Sequence, residues 1–178
     1  PIGLRTSCYG VCDAGAAVNV TGGVQPYVSY TWLNPDNTVS QTGDTVQLCG
    51  DIAGQLHRVV VEDAIGCRDT AEVWVYEPEP TVILLDSLRN VYCKGDSTGY
   101  IEISGSEGSG GPYTYSWTKV GDPSFSEDTR IIDSLTFGTY EVQVSDNNGC
   151  PVSESYVITE PLNYLTVDNI IIDSTSCL

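Results

Sequence analysis

Apolar and polar residues alternate along much of the chain. Tyr100-Ile101-Glu102-Ile103-Ser104 has this pattern, as do Tyr140-Glu141-Val142-Gln143-Val144-Ser145 and Glu72-Val73-Trp74-Val75-Tyr76. A period of two sends successive side chains to opposite faces of an extended strand, whereas an amphipathic helix needs a period near 3.6. Clusters of Gly, Pro, Asn and Asp interrupt these runs about every 8 to 12 residues, the spacing of strands in a sandwich. The pattern predicts an all-β chain of antiparallel, Greek-key-like β-sandwiches. Asp63-Ala64-Ile65-Gly66 and Asp146-Asn147-Asn148-Gly149 read as hairpin turns, with the carboxylate accepting turn amides and Gly at positive φ.

The pattern also repeats. Tyr27-Val28-Ser29-Tyr30-Thr31-Trp32 corresponds to Tyr113-Thr114-Tyr115-Ser116-Trp117, with the tryptophans offset by 85 residues. The stretch from Val59 to Gly66-Cys67 corresponds to Val142 to Gly149-Cys150, and Glu77-Pro78 to Glu160-Pro161, both offset by 83. Ile172-Asp173-Ser174-Thr175-Ser176-Cys177 resembles the stretch from Leu85 to Cys93. The expected organisation is a first repeat over 1–79 that lacks its opening strand, a second over 80–161, and the first strand of a third over 162–178. The chain reads as an excised stretch of a longer array. Pro78 and Pro80 fix φ in the Glu77–Pro80 linker and stiffen it.

Leu135-Thr136-Phe137-Gly138-Thr139-Tyr140 has the form of a tyrosine corner, which ties a crossover to an immunoglobulin-like sandwich. His57, the only histidine, falls at the position of Tyr140 and reads as its structural substitute. Trp32 and Trp117 are expected in the two cores. The alternative is a sugar-binding platform.

The chain has seven cysteines. Cys8 and Cys67 occupy positions equivalent to Cys93 and Cys150, so the expected bridges are Cys8–Cys67 and Cys93–Cys150. Each would close a loop of nearly a whole repeat, contributing about 4 kcal/mol by chain entropy. Cys12 and Cys49 have no counterparts in the second repeat and are expected to form a private bridge. Cys177 is expected to pair beyond residue 178. Cys8-x3-Cys12 also resembles half of a zinc site, but no equivalent of Cys12 lies near Cys93. Disulfides imply an oxidising, extracytoplasmic compartment.

These motifs carry a family resemblance. Cys93-Lys94-Gly95, Gly99-Tyr100-Ile101, Gly111-Pro112-Tyr113-Thr114-Tyr115-Ser116-Trp117, Leu135 through Gly149-Cys150, and Ile158-Thr159-Glu160-Pro161 run in the order of the SprB-type repeat. That repeat builds the large cell-surface adhesins of gliding Bacteroidota. The first repeat keeps Cys8-x-Gly10 but replaces Gly-x-Tyr by Gln55-x-His57 and adds two cysteines. The resemblance implies a long filament of tandem immunoglobulin-like domains, exported by the type IX secretion system and displayed on the outer membrane. It implies contact with neighbouring repeats, with a surface polysaccharide or substratum, and with the gliding and secretion machinery.

Six of the 14 aspartates begin an Asp-Ser/Thr-aliphatic, Ala or Thr triplet, the form at which Bacteroidota attach O-glycans. The acceptors are Thr45, Thr70, Ser87, Ser97, Ser134 and Ser174. This composition alone yields about one such triplet. Sugars there would shield exposed strands and edges.

The formal net charge is −17, from 24 Asp+Glu against 7 Lys+Arg. So few cations cannot build a phosphate-binding face, which excludes nucleic acid. The longest apolar runs, such as Val82–Leu85, have four residues, far short of the 20 or so of a membrane-spanning helix. The acidity reads first as a solvated surface that keeps a filament soluble. The sharper alternative is Ca²⁺ at domain junctions, held by Glu77, Glu79, Asp86, Glu160 or Asp173, although no Asp-x-Asp-x-Asp-Gly loop is present. No nucleophile elbow, phosphate loop or nucleophile–base pair appears, and no enzyme or resident cofactor is expected. Beside the adhesive filament stand two alternatives: a polysaccharide-binding module of a secreted enzyme, and a fibre subunit polymerised by strand exchange.

Overall fold

β-Branched and aromatic residues at alternate positions form fourteen strands in the computed structural model, which describes residues 3–170. The first seven are β1 (Leu4–Arg5), β2 (Ala14–Ala17), β3 (Ser29–Leu33), β4 (Val39–Thr42), β5 (Thr45–Leu48), β6 (Gln55–Glu62) and β7 (Arg68–Tyr76). The next seven are β8 (Thr81–Arg89), β9 (Gly99–Glu107), β10 (Thr114–Lys119), β11 (Asp122–Glu127), β12 (Ile131–Leu135), β13 (Gly138–Ser145) and β14 (Pro151–Ile158). The described chain is all-β.

The first seven strands pair only with one another, in sheets ordered β1-β7-β6-β3-β4 and β2-β5. The second seven do the same, in sheets ordered β11-β10-β13-β14 and β12-β9-β8. In each set the last two strands share a sheet with the third and fourth, and the second and fifth form the opposite sheet. That is the immunoglobulin-like Greek-key order. β1 runs parallel to β7, with Leu4 opposite Val75 and Arg5 opposite Tyr76.

Alternation decides what is buried. Trp32, Val59, Val61 and Val75 from one sheet meet Ala14, Ala16, Val46 and Leu48 from the other. In the second set Ile101, Ile103, Trp117, Ile132, Leu135, Tyr140, Val142, Val144 and Ile158 are buried. Trp32 and Trp117 are 3% and 0% exposed. Their indole N–H groups donate to the carbonyls of Gly43 and Thr129, each at 3.0 Å. Both are therefore interior side chains with satisfied donors, and neither is available as a sugar platform.

Tyr140 donates its hydroxyl to the Thr136 carbonyl at 2.9 Å, closing the tyrosine corner. His57 is buried at the equivalent place on β6 and its Nε2 lies 2.8 Å from the Cys49 carbonyl. A carbonyl only accepts, so Nε2 carries the proton. Nδ1 is buried without a hydrogen-bond partner among the described residues.

The chain divides into two compact units. One holds the described residues up to Ile83 with Gly105–Thr114 and Val144–Val152. The other holds Leu84–Ser104, Tyr115–Gln143 and the described residues from Ser153 onward.

Candidate functional site

The chemistry-bearing residues gather in two local arrangements, each built twice. The first is the Asp-x-x-Gly-Cys hairpin. Asp146 is 4% exposed, yet it is fully engaged. Its Oδ1 accepts the N–H of Asn148 at 2.9 Å and of Cys150 at 3.0 Å, and its Oδ2 accepts the N–H of Ser109 at 2.7 Å. Asp63 repeats the arrangement: Oδ1 accepts Ile65 N–H at 3.0 Å and Cys67 N–H at 2.9 Å, and Oδ2 accepts Val24 N–H at 3.0 Å. The glycines that follow, Gly66 and Gly149, have φ of 86° and 80°, in the left-handed region that favours glycine.

Burial alone pushes the Asp146 carboxyl up, but the amides of Ser109, Cys150 and Asn148 outweigh it and hold the group below its usual 3.8. For Asp63 the Val24 amide is the largest influence, and the group is again held low. A carboxylate depressed on folding contributes stability that is complete above its unfolded value and is lost as pH falls through the folded value. The acid limb of unfolding should therefore begin below about pH 4. Asp146→Ala leaves three amides without their acceptor and should cost about 3 kcal/mol in urea unfolding at pH 7. It should also flatten the acid limb. An unchanged midpoint would show that water replaces the carboxylate.

The second arrangement links the Cys-x-Gly and Glu-Pro motifs. Gly10 N–H donates to Glu77 Oε2 at 2.9 Å, and Gly95 N–H donates to Glu160 Oε2 at 2.7 Å. Beside each, a backbone bond closes the strand end: Thr6 N–H to the Tyr76 carbonyl at 2.9 Å, and Val91 N–H to the Thr159 carbonyl at 3.0 Å. Asp13 further fixes the first copy by accepting the Ser7 N–H at 2.8 Å and the Ser7 hydroxyl.

Cys12 is bonded to Cys49, the pair the sequence suggests, but Cys8 is bonded to Cys150. Cys67 and Cys93 are exposed thiols, so neither Cys8–Cys67 nor Cys93–Cys150 forms. The register of β1 on β7 gives the reason. Leu4 and Arg5 lie against Val75 and Tyr76, so Cys8 follows at the C-terminal end of β7, whereas Cys67 immediately precedes its N-terminal end. Nine strand residues cover about 30 Å. A disulfide needs Cα atoms within about 7 Å. β14 separates Cys150, just before its start, from the strand end by Thr159 where Val91 anchors the Cys93 loop. Cys177 lies outside the described residues.

Thr45, Thr70, Ser87, Ser97 and Ser134 are all exposed. Ser134 has a φ of 56°. Ser174 and Asp173 lie outside the described residues.

Three of the five carboxylates offered as calcium ligands have separate structural partners. Glu77 and Glu160 accept the glycine amides, while Asp86 pairs with Arg130 at 3.2 Å and accepts the Ser104 hydroxyl at 3.2 Å. Among the described residues no three His, Cys, Asp or Glu side chains form a group able to hold a metal ion. A shallow depression of about 560 Å³ lies on the β10–β13–β14 face, with Ser116, Thr118, Glu141, Gln143 and Ser153 on its wall.

Comparison with known proteins gives a family match to one segment. Residues 86–122 match the family model described as the SprB repeat. No curated protein matches the chain. Among solved structures, the N-terminal four Ig domains of Dscam1 isoform 6.9 share 16% identity over 75% of this chain and 37% of that one, with a TM-score of 0.34. The amphioxus IgVJ-C2 molecule shares 13% identity over 82% of this chain and 94% of that one, with a TM-score of 0.35. The chain thus spans well under half of the four-domain Dscam1 structure.

Proposed function

We propose that this chain is a structural and adhesive segment of a long repetitive surface filament of the gliding-adhesin type, with repeats over 1–79 and 80–161 and a third beginning at 162. The SprB-repeat match over residues 86–122 carries this reading, in a chain whose other repeat builds the same cradles from the same motifs. The disulfides support an extracellular surface location. The segment acts without catalysis. Its partners are neighbouring repeats, the secretion and gliding machinery, and a polysaccharide or other substratum. Its acidic surface keeps neighbouring filaments apart. The exposed hydroxyls of Thr45, Thr70, Ser87, Ser97 and Ser134, with Ser174, are its O-glycan acceptors.

An antiserum raised against residues 1–178 should label intact cells. The protein that it captures should weigh more than its sequence mass, by whole hexose-scale increments on peptides that carry these acceptors. Labelling only after permeabilisation overturns the surface reading. A captured protein at its sequence mass overturns the glycan assignment.

A further inference from the structure

Two exposed thiols sit in local frames that elsewhere in the chain end in a disulfide. Cys93 stands where Cys8 stands. Gly10 and Gly95 donate to Glu77 and Glu160, and Thr6 and Val91 donate to the Tyr76 and Thr159 carbonyls. Cys67 stands where Cys150 stands. Each is the last residue of a hairpin whose aspartate accepts its N–H, at 2.9 Å for Cys67 and 3.0 Å for Cys150. In both hairpins the same aspartate N–H also donates back to the cysteine carbonyl. Cys8 and Cys150 are bonded to each other. Their counterparts Cys93 and Cys67 are not bonded to each other or to any cysteine described.

The bond joins cysteines of two successive repeats, so it has a direction. Cys8 belongs to the first repeat and Cys150 to the second. The Cys-x-Gly cysteine of one repeat therefore takes the hairpin cysteine of the next. We infer that Cys93 forms the same bond with the hairpin cysteine of a following repeat, and Cys67 with the Cys-x-Gly cysteine of a preceding one, so that the array is covalently joined repeat to repeat. The partner is thus a further copy of this repeat, presenting the Asp-x-x-Gly-Cys hairpin to Cys93 or the Cys-x-Gly turn to Cys67.

Each such bond joins two sulfurs and releases one proton from each thiol. The two electrons pass to the disulfide of a thiol-oxidising oxidoreductase, which leaves as a dithiol. Cys93 and Cys67 are exposed and accessible to that exchange. The added polar contact at the bonded site, Asn148 Nδ2 to the Ser7 carbonyl at 3.0 Å, is not general. Ile65 occupies the place of Asn148 in the other hairpin. The backbone cradles and the two cysteines are the common elements.

This inference rests on the array reading for its partners but not on what the array adheres to. Its test is a disulfide map of the full-length protein, alkylated before lysis and digested without reduction. The expected result is a Cys93 peptide bonded to a hairpin peptide of the following repeat, and a Cys67 peptide bonded to a Cys-x-Gly peptide of the preceding one. In a Cys93→Ser variant the hairpin cysteine of the following repeat should become alkylated while Cys8–Cys150 persists. Recovery of Cys67 and Cys93 as alkylated thiols overturns the inference, as does a Cys8–Cys67 or Cys93–Cys150 pair. Failure of surface labelling, by contrast, concerns only the location of the protein.

Discussion

Cys8→Ser and Cys150→Ser should each destabilise the 178-residue chain by about 4 to 5 kcal/mol, whereas Cys67→Ser and Cys93→Ser should leave it within about 0.5 kcal/mol of the parent. The bond closes a loop with a sequence separation of 142 residues, and chain-entropy reasoning puts the larger effect at that length. The two large effects should not add, because either substitution removes the same bond. Urea unfolding of the four single variants and the Cys8/Cys150 double variant reads all of this. A scheme in which each repeat closes on itself makes a different pattern: Cys8 would match Cys67, and Cys93 would match Cys150. That pattern would sink the connectivity described here.

Trp117→Ala should cost about 4 kcal/mol. The ring is fully buried, its centroid is 6.0 Å from that of Tyr156, and its N–H satisfies the Thr129 carbonyl. Truncation opens a cavity and leaves that carbonyl unpaired in the same step. A sandwich of this size has a total stability toward the lower end of the usual 5 to 15 kcal/mol. The transition of the second sandwich should therefore fall by about 20 °C in a calorimetric scan. Trp117→Phe keeps most of the volume and should recover about half of the loss, which separates packing from the lost hydrogen bond. A shift of only a few degrees for the alanine variant would mean that the ring does not hold the core.

The strands were legible because their signal is local. Tyr100–Ser104 and Tyr140–Ser145 alternate cleanly, and the residues that alternate inward, Ile101, Ile103, Val142 and Val144, are those that are buried. Trp32 and Trp117 were readable because they recur at equivalent strand positions, and Tyr140 because its corner motif ties it to the sandwich. The partners of Cys8 and Cys150 were not readable in the same way. Repeat equivalence says which cysteines correspond, but not at which end of a sandwich each one lies. Parity supplies that: β1 and β7 run parallel, so a cysteine after the first strand and one before the last stand at opposite ends. The roles of Glu77 and Glu160 left a trace that could have been followed. Cys-x-Gly and Glu-Pro occur together in both repeats because the carboxylate of one motif holds the glycine amide of the other. The Nδ1 of His57, which has no hydrogen-bond partner among the described residues, left none, since it depends on which carbonyl the ring happens to reach.

The Cys8–Cys150 bond also determines how the chain carries tension. A pull applied at its two ends passes through the sulfurs and bypasses every residue between them. Those residues would span about 500 Å if drawn out fully. While the bond is intact that length stays in reserve, and the pull is borne by the segments outside the loop, which include β1 and β14. Once reduced, the same segment becomes a compliant tether whose strands can be peeled apart one sandwich at a time. Redox state thus sets the extensibility of the segment without altering a single residue in either core.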